Sequence, residues 1–394
     1  MPVDLVINAT ILNQPRLTGL GVYAAALLAP LLKLCVAEHQ FSKIIVAGQP
    51  DRLRECLGAI AADPRIQIRT VLTLNPAWRL LALDRLIVAE RGRSKNVLFY
   101  SPTHHGVMRG GIRQVITIHD LFARLFPQNY RQQYRYFRWY LPRILARTNR
   151  VMVDSANTAM DLRRFYPDSP PSEVIHAALR PDLPMTEPCM LPLLHGHRFF
   201  LFVGPSYAYK NGVRLIDAFA RFRTIKPVKL VFAGGREEYV RDLRRHQVEH
   251  HPALAGEIVF LDYPSTGELA WLYRNAAALM LTTLYEGFGL PALEAMACDC
   301  PVVASRAGSL PEVCGDAALM IDPEDVDSMT EAMSQVIAND DLRQSMIASG
   351  RRNVRRFSWE TSAEKVYRIL LALVEDDSAG HKALGVGPND ESKY

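Results

Sequence analysis

The sequence offers no uncharged apolar run of membrane-spanning length. Its longest, Val22 to Leu32, contains Pro30 and falls short of the roughly 20 residues that a bilayer requires. The start, Met1-Pro2-Val3-Asp4, lacks the positive segment that opens a secretory signal, so a cytoplasmic location is expected. Cysteine is sparse: Cys35, Cys56, Cys189, Cys298, Cys300 and Cys314 form no CxxC pair, and Cys298 and Cys300 stand too close for a usual zinc pair. Reduced, mostly buried thiols are expected instead. There is no low-complexity tract and no repeat of solenoid length, and a composition of 49% hydrophobic and 22% charged residues is that of a chain that packs a core.

At 394 residues the chain exceeds what one core usually supports, which points to two domains. Charge divides unevenly: 24 Lys and Arg against 14 Asp and Glu up to His195, then 22 against 27. A basic first half faces something anionic, such as a nucleic acid, a membrane surface or a phosphorylated substrate. Short β-branched runs (VDLVINA, KIIVAG, NVLFYS, QVITIHD, RVMVDS) each precede a longer segment, the spacing of parallel βα units. After a proline-rich interruption the rhythm restarts with FFLFVG, VKLVFAGG, EIVFLDY, AALMLTT, CPVVAS and AALMID. The fold class is therefore α/β, with domains at 1–190 and 195–358, and the four prolines between Pro181 and Leu194 mark the linker. Residues 378–394 read as a structureless polar tail. Open α/β sheets bind ligands beyond the carboxyl ends of their strands, so two such sheets form a two-walled cleft.

The segment Thr283 to Ala297 carries the chemistry. An apolar strand runs into Tyr285-Glu286-Gly287-Phe288-Gly289-Leu290-Pro291 and then into the helix former ALEAMA. Gly287 and Gly289 let backbone approach a ligand, and Pro291 suits the first helical turn. Such a helix start presents unpaired N–H groups and the positive end of the macrodipole, which favour a phosphate or diphosphate. Glu286 precedes the turn and Glu294 follows it, eight positions on, so the two carboxylates flank one anion site without touching.

EGFGLPALEAMA resembles the Glu-seven-residues-Glu signature of the family 4 retaining glycosyltransferases, and the resemblance extends from Asn8 to about Leu371. Thr18-Gly19-Leu20-Gly21-Val22-Tyr23 is similar to the family's glycine loop, with Val22 in place of the usual Arg. Ile116 to Leu121 is similar to its strand-end IHD. Val203 to Asn211 is similar to its VGxxxPRKN loop, with Lys210 and Asn211 matching but Tyr209 standing where many members carry Arg. The resemblance implies the GT-B fold: two Rossmann-like domains facing across a cleft, with a last helix, here 359–377, crossing back to the first. It implies that Glu286 meets the donor sugar, Glu294 the ribose, and His119 the sugar near the reacting carbon. Lys210 would neutralise the leaving diphosphate, and Gly19, Gly21, Gly204, Asn211, Gly287, Phe288, Gly289 and Leu290 would line the donor.

The expected reaction is retaining transfer of a hexose from a nucleotide sugar, first GDP-mannose, to a glycan or a polyprenyl-diphosphate-linked acceptor. UDP-glucose, UDP-galactose or a rhamnosyl donor, and a catalytically silent nucleotide-sugar-binding protein, are the alternatives. No DxD follows a hydrophobic strand, so neither metal nor other cofactor is expected. The loop 101–106, with Thr103, His104 and His105, is the candidate acceptor wall. Residues 131–150 carry six arginines and no acid; an amphipathic helix docked on the core and an anionic inner-leaflet contact both fit them, whereas no nucleic-acid motif accompanies them. Gly19 to Ala24 fits GxGxxA but begins too late after the first strand for a dinucleotide fingerprint. His246 to His250 fits HxxEH but reads as a solvated helix end.

Overall fold

A computed structural model describes residues 3–15, 17–72, 76–94, 96–109, 111–180, 182–222 and 227–383. The first sheet contains β1 (Val3–Asn8), β2 (Phe41–Gly48), β3 (Ile66–Thr70), β4 (Val97–Ser101), β5 (Arg113–Ile118), β6 (Arg150–Val153) and β7 (Ser172–Val174). All pairs are parallel, in the order β3-β2-β1-β4-β5-β6-β7. The second sheet contains β8 (Arg198–Val203), β9 (Val228–Ala233), β10 (Ile258–Leu261), β11 (Ala278–Leu281), β12 (Val302–Ser305) and β13 (Ala318–Ile321). It too is parallel, in the order β10-β9-β8-β11-β12-β13. The central strands are buried along their length, as Val/Ile/Leu runs covered by helices on both faces must be.

Chain order reverses between β1 and β4 in one sheet and between β8 and β11 in the other. Crevices at such switch points are where doubly wound sheets bind ligands. Asn8, at the end of β1, donates to Ser101 Oγ at the end of β4 and to the His105 carbonyl, so the first crevice is braced by its own strand ends.

Three expectations are corrected. The apolar run around Val22 to Leu32 belongs to a 19-residue helix, Gly19–Ala37, long and apolar enough to cross a membrane by length and composition. In this fold it is a core helix, because Tyr23, Leu27, Leu28, Leu31 and Leu32 bury one side of it. Gly19 and Gly21 form the first turn of that helix, after Thr18, rather than a loop: the helix formers VYAAALLA extend back through them. The last helix, Trp359–Ala383, continues through 378–383, assigned above to the tail; 384–394 lie outside the described residues.

That last helix returns to the first domain. The Trp359 ring meets Tyr23 edge-on with centroids 5.3 Å apart and its Nε1 donates to the Leu179 carbonyl, Tyr367 packs on Phe41, and Ser362 donates to the His176 carbonyl. Trp359 and Tyr367 are both buried, so apolar burial as well as hydrogen bonding fastens the last helix to the first domain.

Candidate active site

Two loops at the switch point of the second sheet form one wall. The first follows β8. Gly204 adopts φ +69°, and Asn211 adopts φ +67° at the cap of the helix Gly212–Arg221. The second joins β11 to the helix Leu290–Ala297, whose N-cap Gly289 has φ +100°, with Pro291 in the first turn as its chemistry favours. The Tyr209 carbonyl holds the loops together, accepting from the Leu284 amide and from Thr283 Oγ1. Across that junction Lys210 Nζ lies 2.5 Å from Glu286 Oε1, so the two residues expected at the leaving phosphate and the sugar meet directly. Glu294 is occupied otherwise: Tyr273 Oη donates to its Oε2 at 2.8 Å, and burial raises its pKa against that bond and the nearby Arg180. The Asn211 amide donates to the Thr282 and Pro323 carbonyls while Arg214 donates to its oxygen, so this side chain stitches the domain together. Phe288 is buried against His176 and Phe357, and Leu290 begins the helix.

The facing wall comes from the ends of β5 and β6. His119 is buried, with Nδ1 2.6 Å from Asp154 Oδ2 and Nε2 2.9 Å from the Pro102 carbonyl. Both partners are acceptors, so the surroundings favour a ring that donates from both nitrogens. Burial alone would lower its pKa, but Asp154, the Pro102 carbonyl and Asp120 together raise it above the ordinary 6.5. The extra proton contributes stability that is complete below about pH 6.5 and is lost as the pH rises through the folded-state value. In Asp154→Asn the principal raising partner is gone. The urea-unfolding stability gap between wild type and variant is expected to be widest near pH 6 and to narrow toward pH 9; a gap flat with pH would show an uncharged ring. Next to His119, burial pushes Asp120 up to about 6.

The loop after β4 is tightly organised. Arg79 reaches His105 Nε2 at 3.3 Å, and because a guanidinium only donates, that nitrogen accepts and Nδ1–H donates to Thr103 Oγ1 at 3.1 Å. His104 stacks on His105, and burial drives its pKa down to about 3. These histidines are neutral and held in place, with Tyr136 donating to the His104 carbonyl.

Sequence reasoning missed the residues that join the walls. Ser155 and Thr158, at the start of the helix Ala156–Phe165, donate to the Gly287 carbonyl at 2.7 and 3.3 Å. Tyr285 Oη donates to Asp161 at 2.8 Å, and Glu312 accepts from the Ala156 amide and lies 2.9 Å from His176 Nε2. Only Asp154 had a visible signal, as the strand-end acid of RVMVDS. Beside the junction, Tyr207 and Tyr209 of the second domain pack on Phe122, Phe126 and Tyr130 of the first, with Tyr209 and Phe126 stacked at 5.7 Å. The Tyr209 ring fills this aromatic joint, with Lys210 Nζ 5.4 Å from its centroid and Arg236 over Tyr207 at 5.0 Å.

Two parallel sheets facing across a cleft, with a glycine-turn helix start and a Lys–Glu pair on one wall, define a glycosyltransferase of GT-B architecture. Residues 191–353 match the family model described as Glycosyl transferases group 1, and residues 21–183 match Glycosyltransferase Family 4. O-antigen chain mannosyltransferase B of Escherichia coli is 30% identical over 311 residues, covering 75% of this chain and 80% of that protein. O-antigen chain mannosyltransferase RfbU of Salmonella typhimurium is 29% identical over 340 residues, covering 83% and 90%. Sucrose-phosphate synthase from Thermosynechococcus elongatus matches in fold with a TM-score of 0.70 at 20% identity, and the UDP-forming α,α-trehalose-phosphate synthase from Burkholderia xenovorans with 0.68 at 13%; each match covers 94% of this chain and all of the other. The chain belongs to the family 4 glycosyltransferases.

Proposed function

We propose that the chain transfers mannose from GDP-mannose to a polyprenyl-diphosphate-linked glycan, with retention and without a metal ion. The observation that carries this reading is the Lys210–Glu286 pair beside the start of the helix Leu290–Ala297. Breaking a sugar–diphosphate bond builds positive charge on the ring and negative charge on the leaving phosphate, and stabilising that separation is the catalytic task. An arriving diphosphate competes with Glu286 for Lys210. It takes the ammonium and the helix N-terminal amides, and it frees Glu286 for the sugar hydroxyls. Attack then occurs on the same face, with the leaving phosphate oxygen accepting the acceptor's proton. His119, with both ring nitrogens engaged by Asp154 and the Pro102 carbonyl, positions the end of β5 and is not assigned the role of base. Mannose is the first choice because two similar relatives carry mannosyltransferase names.

Release of nucleoside diphosphate from GDP-mannose, UDP-glucose, UDP-galactose and a rhamnosyl donor, with and without EDTA and with Glu286→Ala as control, tests this directly. Turnover of GDP-mannose unaffected by EDTA is expected. Preference for another donor, loss with EDTA restored by Mg²⁺, or donor binding without turnover over a broad acceptor panel would each overturn the corresponding part.

A lipid-linked acceptor is supported by two surfaces of the first domain. A groove of about 630 Å³ is lined by Leu72, Trp78, Leu81 and Leu86 with Arg69 and Arg85, apolar walls with guanidiniums suited to a lipid diphosphate. The basic segment folds as Arg131–Arg135, a π-helical turn Tyr136–Tyr140 and Leu141–Leu145. Phe137, Leu141 and Ile144 are buried, whereas Arg131, Arg135, Arg138, Arg143, Arg147, Trp139 and Tyr140 are exposed. Arginines interleaved with exposed aromatics suit an anionic interface, each cation contributing about 1 kcal/mol. Cosedimentation with anionic vesicles is expected, with release by high salt and loss in the Arg135→Glu, Arg138→Glu double variant. Indifference to lipid charge would remove the membrane contact.

A further inference from the structure

The second domain carries, outside the donor cleft, a cluster that the transfer reaction does not use. Asp217 lies midway along the helix Gly212–Arg221, His246 in the helix Glu237–His250, and His251 caps that second helix. His246 Nε2 and His251 Nε2 each lie 2.7 Å from the same oxygen, Asp217 Oδ1, and the three potential ligand atoms are all within 4.8 Å of one another. We propose that Asp217, His246 and His251 form a site for a divalent first-row transition metal of the zinc type, stapling these two helices together.

Ligand chemistry selects the class of ion. Two imidazoles and one carboxylate oxygen suit a borderline cation, whereas Mg²⁺ and Ca²⁺ require predominantly oxygen ligands. Geometry is close to what such an ion needs. Metal–ligand distances of about 2.0–2.2 Å put tetrahedral neighbours about 3.4 Å apart, so each Asp217–His contact needs to open by less than about 1 Å, and the pair of imidazole nitrogens, within 4.8 Å of each other, can meet at the same ion. The site also has an exit for the protons. Without metal, each Nε2 has Asp217 Oδ1 as its hydrogen-bond partner; with metal, each ring carries its proton on Nδ1 and turns the Nε2 lone pair to the ion. Asp217, His246 and His251 side chains are 30%, 18% and 25% exposed, which leaves access for an ion and for water as the fourth ligand.

Surrounding charges leave the carboxylate to the imidazoles. Arg214 donates to Asn211, Arg221 pairs with Asp327, and Arg245 pairs with Asp242. His250 packs against His246 with centroids 4.7 Å apart and ring planes tilted by 42°, and it is not one of the three. The HxxEH pattern in the sequence therefore names the wrong second histidine, and the true third ligand comes from another helix. Asp217 lies six residues beyond Asn211, roughly 9 Å along the helix that starts beside Lys210. A bound ion fixes the element that presents Lys210 without touching the donor.

The untagged full-length chain, dialysed against buffered Zn²⁺, is expected to retain one zinc, to unfold at a higher temperature with Zn²⁺ than with EDTA, and to ignore Mg²⁺. Asp217→Asn and His246→Ala are expected to bind zinc at least tenfold more weakly and to lose the thermal shift while keeping basal transferase activity. Should a variant fail to fold, zinc protection of His246 and His251 from carbethoxylation in the wild type, mapped by mass spectrometry, reads the same site. Unchanged zinc binding in the folded variants, no binding by the wild type at 100 µM free zinc, or unprotected histidines would each overturn the proposal, leaving an ordinary hydrogen-bonded helix corner.

Discussion

Glu286→Ala is expected to lower kcat by about 10²–10³-fold with the fold intact, and Lys210→Ala to lower kcat and raise the donor KM together. The difference between them follows from when each interaction is strongest. In the proposed assignment Lys210 faces the diphosphate both before and during bond breaking, so its loss is felt in binding and in turnover. Glu286 faces the sugar, where charge develops only as the bond breaks, and removing one such preorganised group costs about 2.7–4 kcal/mol of barrier. Their mutual contact at 2.5 Å adds a second signature. In Glu286→Ala the ammonium no longer has a carboxylate competing with the diphosphate, so nucleoside diphosphate alone is expected to bind as tightly as in the wild type or more tightly. Glu286→Gln keeps the shape and discards the charge, which separates packing from electrostatics. Near-normal kinetics in both alanine variants would remove the site assignment.

Much of this architecture was legible because apolar period and strand length agree. All six strands of the second sheet coincide with the short apolar runs read from the sequence, as do β1, β2, β4, β5 and β6. The two missed strands, β3 and β7, are the edges of the first sheet. Their residues are mostly half-buried, and IQIRT and SEV carry polar side chains because one side of an edge strand meets solvent. The Glu286-to-Glu294 segment was legible for a different reason: glycines at a turn and proline at a helix start have few other uses. What stayed hidden were contacts between segments distant in sequence. The bond from Ser155 to Gly287 joins residues 132 apart, and that from Tyr285 to Asp161 residues 124 apart; nothing local in either segment announces its partner. Asn211 adds a structural role that its motif does not announce, its amide reaching carbonyls 71 and 112 residues away. The same limit hid Asp217, whose helix gives no sign of the two histidines facing it.

Gly287→Ala carries the second large expected effect, and its cause is space rather than backbone conformation, since Gly287 is absent from the glycines with positive φ. A Cβ on this residue would stand 2.2 Å from the His119 carbonyl oxygen and 2.8 Å from Asp120 Cβ. The nearest obstacle is backbone at the end of β5, which cannot rotate aside as a side chain could. The Gly287 carbonyl is at the same time held by Ser155 and Thr158, so the peptide is clasped between a strand end and a helix start of the first domain. An added methyl must part the walls or displace the loop by about an ångström, and a misplacement of that size can cost about 10²-fold in rate. Overpacking is expected to lower stability by about 1–3 kcal/mol as well. Gly256→Ala, outside the donor wall, is the matching control: φ is +81° there but nothing lies within 4 Å of its Cβ, so it strains the backbone without pushing on the other domain. Ser155→Ala releases the clasp without adding volume. If contact between the walls is what assembles the site, kcat falls in the order Gly256→Ala least, Ser155→Ala intermediate and Gly287→Ala most. Wild-type kcat/KM in Gly287→Ala would mean that turnover proceeds with the two walls further apart than the 2.2 Å clearance permits.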